Sequence, residues 1–246
     1  ELTKYIREIQ PKGIEVNLGG EIGEIGSKNS TEEELVAYME GYLKLLPSGM
    51  KGITKLAIQT GTTHGGVPLP DGTIAKVKLD FDTIERLTKI ARQNYKLAGC
   101  VQHGASTLPA ELFDKFPKVN TLEIHLATEF QNMIYDNPLF PEDLKKQIYD
   151  WLSENCKDEK KPTDTEQQFI YKTRKKALGK FKKELWSLSK EIKESISSEL
   201  QKKFEFLFDK LNVKNTKDVV KKYTKVVKVQ FGGIESVKSE KFEGAD

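Results

Sequence analysis

The sequence has 246 residues, 37% of them apolar, enough to bury a substantial core in one domain with appendages. No run approaches the roughly 20 apolar residues of a membrane span, and 40 basic against 37 acidic residues give the whole chain no charge bias toward nucleic acid. Two cysteines, Cys100 and Cys156, exclude a disulfide framework, and with no leader-like opening the expectation is a soluble protein of the reducing cytoplasm, bound neither to membrane nor to nucleic acid.

Leu2, Tyr5, Ile6 and Ile9 stand at helical spacing until Pro11 and Gly13, so a helix is predicted from the first residue onward. Ile14, Val16 and Leu18 then alternate with polar residues as a strand does, ending at Gly19-Gly20 and a glycine-rich loop through Gly26. Thr31 and Glu34 have the spacing of a capping box ahead of an apolar stripe, Leu35, Met39, Tyr42, Leu43 and Leu46, which predicts the second helix. A strand at about Leu56 to Thr60 follows, and then a helix from about Asp82 carrying Ile84, Leu87 and Ile90. The next strand, about Ala98 to Gln102, contains Cys100 as an expected buried thiol. It leads to a short helix near Pro109 to Phe116 and a strand at about Leu122 to Leu126. Strands separated by helices of this length need crossover connections, which predicts an α/β class with a parallel sheet.

Beyond Tyr135 the alternation stops, and helices are expected at about Pro141 to Asn155, Asp164 to Trp186 and Ser189 to Leu211. Residues 172 to 183 (KTRKKALGKFKK) are heavily basic. Such a run solvates an outer helix face more often than it binds a partner, though it keeps a nucleic-acid or protein-binding module among the readings. After Thr224 the tail has one β-like stretch, Val226 to Phe231, and is expected to be partly ordered at best.

Each of the three histidines falls at or near the carboxyl end of a predicted strand: His64 after LAIQTGTT, His103 after AGCVQ, and His125 within TLEIHL. That edge is where parallel α/β folds bind ligands and where eight-stranded barrels build their active sites. A lone strand-end histidine is usually a hydrogen-bonded structural residue, but imidazole is also the commonest nitrogen ligand for zinc. Glycine follows His64 and His103 at once, as Gly65 and Gly104, which lets a ligand approach the backbone and leaves amides open to an anion. Ser106 and Thr128 add hydroxyls after the third and fourth strands, where barrels commonly hold phosphate. The glycine-rich loop is neither a P-loop nor a dinucleotide fingerprint, and its carboxylates suit a metal, a proton transfer or a sugar hydroxyl as well as plain solvation.

These residues resemble the class II fructose- and tagatose-bisphosphate aldolases over about residues 13 to 136. Glu21-Ile22-Gly23 through Gly26 is similar to the family's Glu-Leu-Gly-x-x-Gly, and Thr60 to Gly65 to its Gly-Thr-x-His-Gly. Gln102-His103-Gly104-Ala105-Ser106 is similar to its His-Gly-Ala-Ser, and His125-Leu126-Ala127-Thr128-Glu129 to its Asn-Val-Ala-Thr-Glu. The resemblance implies a TIM (β/α)8 barrel of which this chain supplies about the last four βα units. Residues 1–136 would be that half, 137–223 a helical C-terminal extension of the same domain and 224–246 a tail.

It further implies that His64 and His103 ligate zinc, with Glu21 at an alternative metal position or steadying a ligand. Backbone around Gly65, Gly104, Ser106, Ala127 and Thr128 would hold a substrate phosphate, and Arg174, in a Tyr-x-x-Arg like the family's, would reach the second phosphate of a neighbouring subunit's substrate. The implied activity is cleavage of a ketose bisphosphate, foremost fructose 1,6-bisphosphate, to dihydroxyacetone phosphate and glyceraldehyde 3-phosphate. Zinc, with or without a second or monovalent cation, would stabilise the enediolate. The implied assembly is a homodimer or larger.

Three departures stand out. The family's first zinc histidine and its aspartate lie on an earlier strand, so the N-terminal half of the barrel is expected upstream of residue 1. The loop Ser27 to Thr31 lacks the paired acidic residues that transfer protons, and His125 stands in place of an asparagine that touches the substrate carbonyl region, where it would supply an extra ligand, replace that catalytic contact or mark a different substrate. These leave a non-catalytic aldolase-like subunit, or a sugar-phosphate-binding protein, as the second reading.

Overall fold

The structure, a computed structural model, describes residues 1–23, 28–62, 67–71, 73–75 and 79–228. Four strands, β1 (Gly19–Glu21), β2 (Lys55–Ile58), β3 (Gly99–Gln102) and β4 (Glu123–Ile124), form one sheet in the order β1-β2-β3-β4. Every neighbouring pair is parallel. The crossovers carry α2 (Glu32–Leu45), α3 (Phe81–Tyr95) and the short α4 (Lys115–Lys118), and α5 (Thr128–Tyr135) follows β4.

Each strand lies beside its sequence neighbour, and the crossover helices pack on one face. Leu56 and Ile58 of β2 and Cys100 of β3 share a core with Leu35 and Met39 of α2, Ile84, Leu87 and Ala91 of α3, and Phe116 of α4. Strand alternation sends Lys55, Ala57, Val101 and Glu123 to the opposite face. This order is consistent with part of a barrel, and it differs from a doubly wound sheet, whose order reverses and whose helices cover both faces. Four strands are half of the eight a closed barrel needs. The expected α/β class and parallel sheet are therefore present.

Caps explain where the helices begin. The Thr31 hydroxyl accepts from the Glu34 amide at 3.2 Å while the Glu34 carboxylate accepts from the Thr31 amide at 3.0 Å, the reciprocal box its sequence predicts. Asp80 caps α3 by accepting from the Thr83 amide at 3.0 Å. Replacing Thr31 by Ala should lower stability by about 1 kcal/mol, read from the urea midpoint at constant slope. Cys100 is fully buried, as expected, and burial pushes its thiol up to about 11.

The helical region is α6 (Glu142–Asn155), α7 (Glu166–Thr173), α8 (Ala177–Lys180), α9 (Lys182–Trp186) and α10 (Lys190–Lys210). A second core of Tyr135, Phe140, Ile148, Leu152, Phe169 and Phe181 holds much of it together. Residues 17–214 make one compact unit. Residues 1–16 and 215–228 belong to another, holding α1 (Leu2–Ile9) and α11 (Lys217–Tyr223).

Two expectations are corrected. The first strand is Gly19–Glu21, not residues 14 to 18. The ladder starts only where Lys55 faces Gly19, and the Val16 backbone is taken instead by side chains of α1 and its C-cap: Gln10 Oε1 accepts from its amide at 3.1 Å and Arg7 donates to its carbonyl at 2.7 Å. The helix expected over Asp164 to Trp186 is broken into α7, a 3-10 turn at Arg174–Lys176, α8 and α9. Arg174 turns inward there, and Gly179 disfavours helix. The helix α11 falls inside the helical extension expected to residue 223, beyond the three helices named within it. Residues 226–228 of the β-like tail have no regular structure, and its remainder lies outside the described residues.

Candidate functional site at the carboxyl edge of the sheet

The carboxyl ends of the strands gather most of the chemistry-bearing side chains. Glu21 closes β1, His103 follows β3, and His125 follows β4 with its amide donating to the Gln102 carbonyl at 2.9 Å. The His103 and His125 rings lie 4.5 Å apart between centroids, and His103 Nδ1 stands 3.8 Å from Glu21 Oε1. His64 and Gly65 lie outside the described residues, as does the glycine-rich loop from residue 24 to 27. Among the described residues no three of His, Cys, Asp or Glu are grouped as a metal would need.

The His103 backbone is fixed by a buried hydroxyl and amide network. Thr60 Oγ1 donates to Gln102 Oε1 at 2.6 Å, Gln102 Nε2 donates to Thr62 Oγ1 at 3.1 Å, and Thr62 Oγ1 donates to the His103 carbonyl at 2.8 Å. Gln102 Nε2 also donates to that carbonyl. Sequence reasoning assigned none of these three residues a role. Their signal was there, because polar residues at the end of a buried strand must find partners inside the protein.

The expected anion-binding residues fall together. Gly104 adopts φ +71°, a conformation that disfavours other residues. The Ala127 amide donates to Ser106 Oγ at 3.0 Å, which ties the loop after β3 to the start of α5. Since that oxygen accepts from Ala127, the Ser106 hydroxyl proton is left to donate. Ala127 precedes α5 without a side-chain cap, so Thr128 and the amides after it open a helix start that favours negative charge.

Two residues absent from the expected set adjoin His125. Glu123, two positions before His125 on the same face of β4, places Oε2 3.1 Å from His125 Nε2. Lys55 Nζ reaches the same carboxylate, donating to Oε1 at 2.7 Å and Oε2 at 2.8 Å. Burial pushes the Glu123 carboxyl up, but the hydrogen bonds from Lys55 and His125 outweigh it and hold it below the usual carboxylate range.

Arg174 occupies a different cavity of about 650 Å3, lined by Pro68, Thr73, Glu166 and Tyr171 among others. Its guanidinium donates to Asp136 through Nη1 at 2.7 Å and Nη2 at 3.1 Å, and to Asn132 Oδ1 at 2.6 Å. It lies over the rings of Tyr135 and Tyr171, 5.4 and 5.3 Å from their centroids. Burial opposes its charge, while the bonds to Asp136 more than restore it. Nε is buried without a hydrogen-bond partner among the described residues. In the basic run around it, Lys172 pairs with Asp164 and Lys176 with Glu159, so internal ion pairs use part of that charge.

The family model described as fructose-bisphosphate aldolase class-II matches residues 1–212. No curated protein matches the chain.

Proposed function

Because the chain belongs to the class II fructose-bisphosphate aldolase family, we propose that it is a metal-dependent lyase cleaving fructose 1,6-bisphosphate to dihydroxyacetone phosphate and glyceraldehyde 3-phosphate, as a homodimer or larger assembly. The observation that carries this reading is the meeting of His103, Glu21 and His125 beside the Gly104–Ser106 and Ala127–Thr128 backbone, at the barrel edge that supports such chemistry.

The donors suit zinc. Imidazole nitrogen and carboxylate oxygen are its usual ligands, and the 3.8 Å between His103 Nδ1 and Glu21 Oε1 falls between roughly 3.4 Å for tetrahedral neighbours and roughly 4.2 Å for a linear pair. His103 and His64 would hold the ion, with Glu21 as an alternative ligand or as a brace for His103. Zinc, when bound, withdraws electrons from the ketose carbonyl and stabilises the negative charge that develops as the carbon–carbon bond breaks.

The chain's own residues orient the substrate. Backbone at Gly65, Gly104, Ala127 and Thr128, with the Ser106 hydroxyl, would cradle one phosphate. The buried Nε–H of Arg174 has no hydrogen-bond partner among the described residues, and an oxygen of the second phosphate of a neighbouring subunit's substrate would satisfy it. His125 would contact the reacting end of the sugar.

The test is the coupled assay of fructose 1,6-bisphosphate cleavage by the full-length protein before and after chelation. Activity lost to the chelator and restored by zinc is expected, and activity indifferent to it would remove the metal-dependent reading. A second reading, a sugar-phosphate-binding subunit without catalysis, is favoured by the loop Ser27–Thr31, which carries no acidic residue. Asn29 in that loop donates to Asp80 at 2.9 Å, and this carboxylate is already occupied in capping α3. Calorimetric binding of the bisphosphate without turnover would establish that reading instead.

A further inference from the structure

Parallel strands put Lys55, Glu123 and His125 on one face of the sheet, and the ladder makes room for the lysine to reach across it. The register partners of Lys55 are Gly19 on one side and Gly99 on the other, so neither neighbouring strand places a side chain beside it. A β-carbon at Gly19 would stand 3.2 Å from the Lys55 side chain. Lys55 Nζ thereby spans to β4 and holds both oxygens of Glu123, at 2.7 and 2.8 Å, with its own side chain only 20% exposed. Two hydrogen bonds from one ammonium fix the carboxylate plane, and Oε2 of that plane faces His125 Nε2 at 3.1 Å.

An ionised carboxylate only accepts, and a lysine ammonium only donates. A neutral imidazole carries its proton on one nitrogen, which the partner of the ring selects. We infer that Glu123, tethered by Lys55, is a positioning residue that fixes His125 as the Nε2–H tautomer, so that Nδ1 is the ring's only basic nitrogen at the site. His125 then meets a substrate hydroxyl or a cation through Nδ1 as an acceptor and has no second donor to offer. The relevance of this to catalysis rests on the aldolase reading, whereas the tautomer itself does not.

The test uses full-length, metal-free protein labelled with 15N-histidine, at about pH 8.5 where an ordinary imidazole is neutral. Long-range proton–nitrogen spectra read the tautomer, and the resonances lost in His125→Asn identify the ring. Wild-type protein should show the limiting Nε2–H shifts, and either Nδ1–H shifts or those of an unconstrained histidine overturn the proposal. The double variant Lys55→Glu/Glu123→Lys keeps the ion pair but presents a donor to Nε2, and it should convert His125 to the Nδ1–H tautomer, which a purely structural ion pair would not do. An unchanged tautomer in the folded double variant overturns the inference. If that variant does not fold, Glu123→Ala should relax the shifts to those of a free histidine, and failure to relax likewise overturns it. Cleavage activity is read on the same wild-type sample, so an inactive protein with the fixed tautomer counts against the aldolase reading alone.

Discussion

His103→Ala is expected to abolish zinc retention and to lower cleavage of the bisphosphate by at least roughly 1,000-fold, equivalent to about 4 kcal/mol of transition-state stabilisation. The loss should be specific to chemistry. The His103 side chain belongs to neither hydrophobic core, and what secures this stretch is its backbone carbonyl, bonded by Thr62 and Gln102. Truncating the ring leaves those bonds in place, so the unfolding free energy should change by less than about 1 kcal/mol. His125→Asn should behave differently, retaining zinc while changing the rate, because the proposed role of that ring is toward substrate. Metal content after dialysis and steady-state kinetics decide the matter. Zinc at full stoichiometry in His103→Ala would refute its assignment as a ligand.

The alternation of strands and helices was legible because each apolar stripe has a partner to bury against, from Leu35 and Met39 on α2 to Leu87 on α3 and Ile58 in the sheet. So was the capping box at Thr31, which depends on residues three apart and on nothing distant. The strand expected at 14 to 18 failed for the complementary reason. Alternation states which face a segment would bury, but the ladder exists only where a neighbour runs alongside, and β2 begins at Lys55, opposite Gly19. The broken helix after Thr173 shows the same limit, since the inward turn of Arg174 is dictated by Asp136 and Asn132, about forty residues away in sequence. At the site, glycine-flanked histidines announced His103, and the i, i+2 spacing already put Glu123 on the face of His125. Lys55 could not be found this way, because its bond to Glu123 crosses β3 and joins residues 68 apart.

The pair Arg174–Asp136, buried on the arginine side alone, should respond asymmetrically to substitution, because its two partners differ in their access to water. The arginine side chain is 6% exposed and the aspartate 59%. Asp136→Ala leaves a guanidinium inside the protein without its carboxylate partner, so a loss of about 3 kcal/mol in unfolding free energy is expected. Arg174→Met removes the charge itself, and the freed Asp136 returns to solvent while the thioether packs against Tyr135 and Tyr171. That substitution should cost only about 1 kcal/mol. Denaturant unfolding of the two variants measures the difference, and an Arg174→Met protein as unstable as Asp136→Ala would show that the pair contributes by attraction rather than by avoiding an unpaired buried charge. Function should separate them in the opposite sense. Arg174→Met, though stable, loses the Nε–H proposed for the second phosphate and should raise KM for the bisphosphate about tenfold or more, the loss of a charge-assisted hydrogen bond of roughly 1.5–3 kcal/mol. An unaltered KM would confine Arg174 to holding α5 against the turn that follows α7.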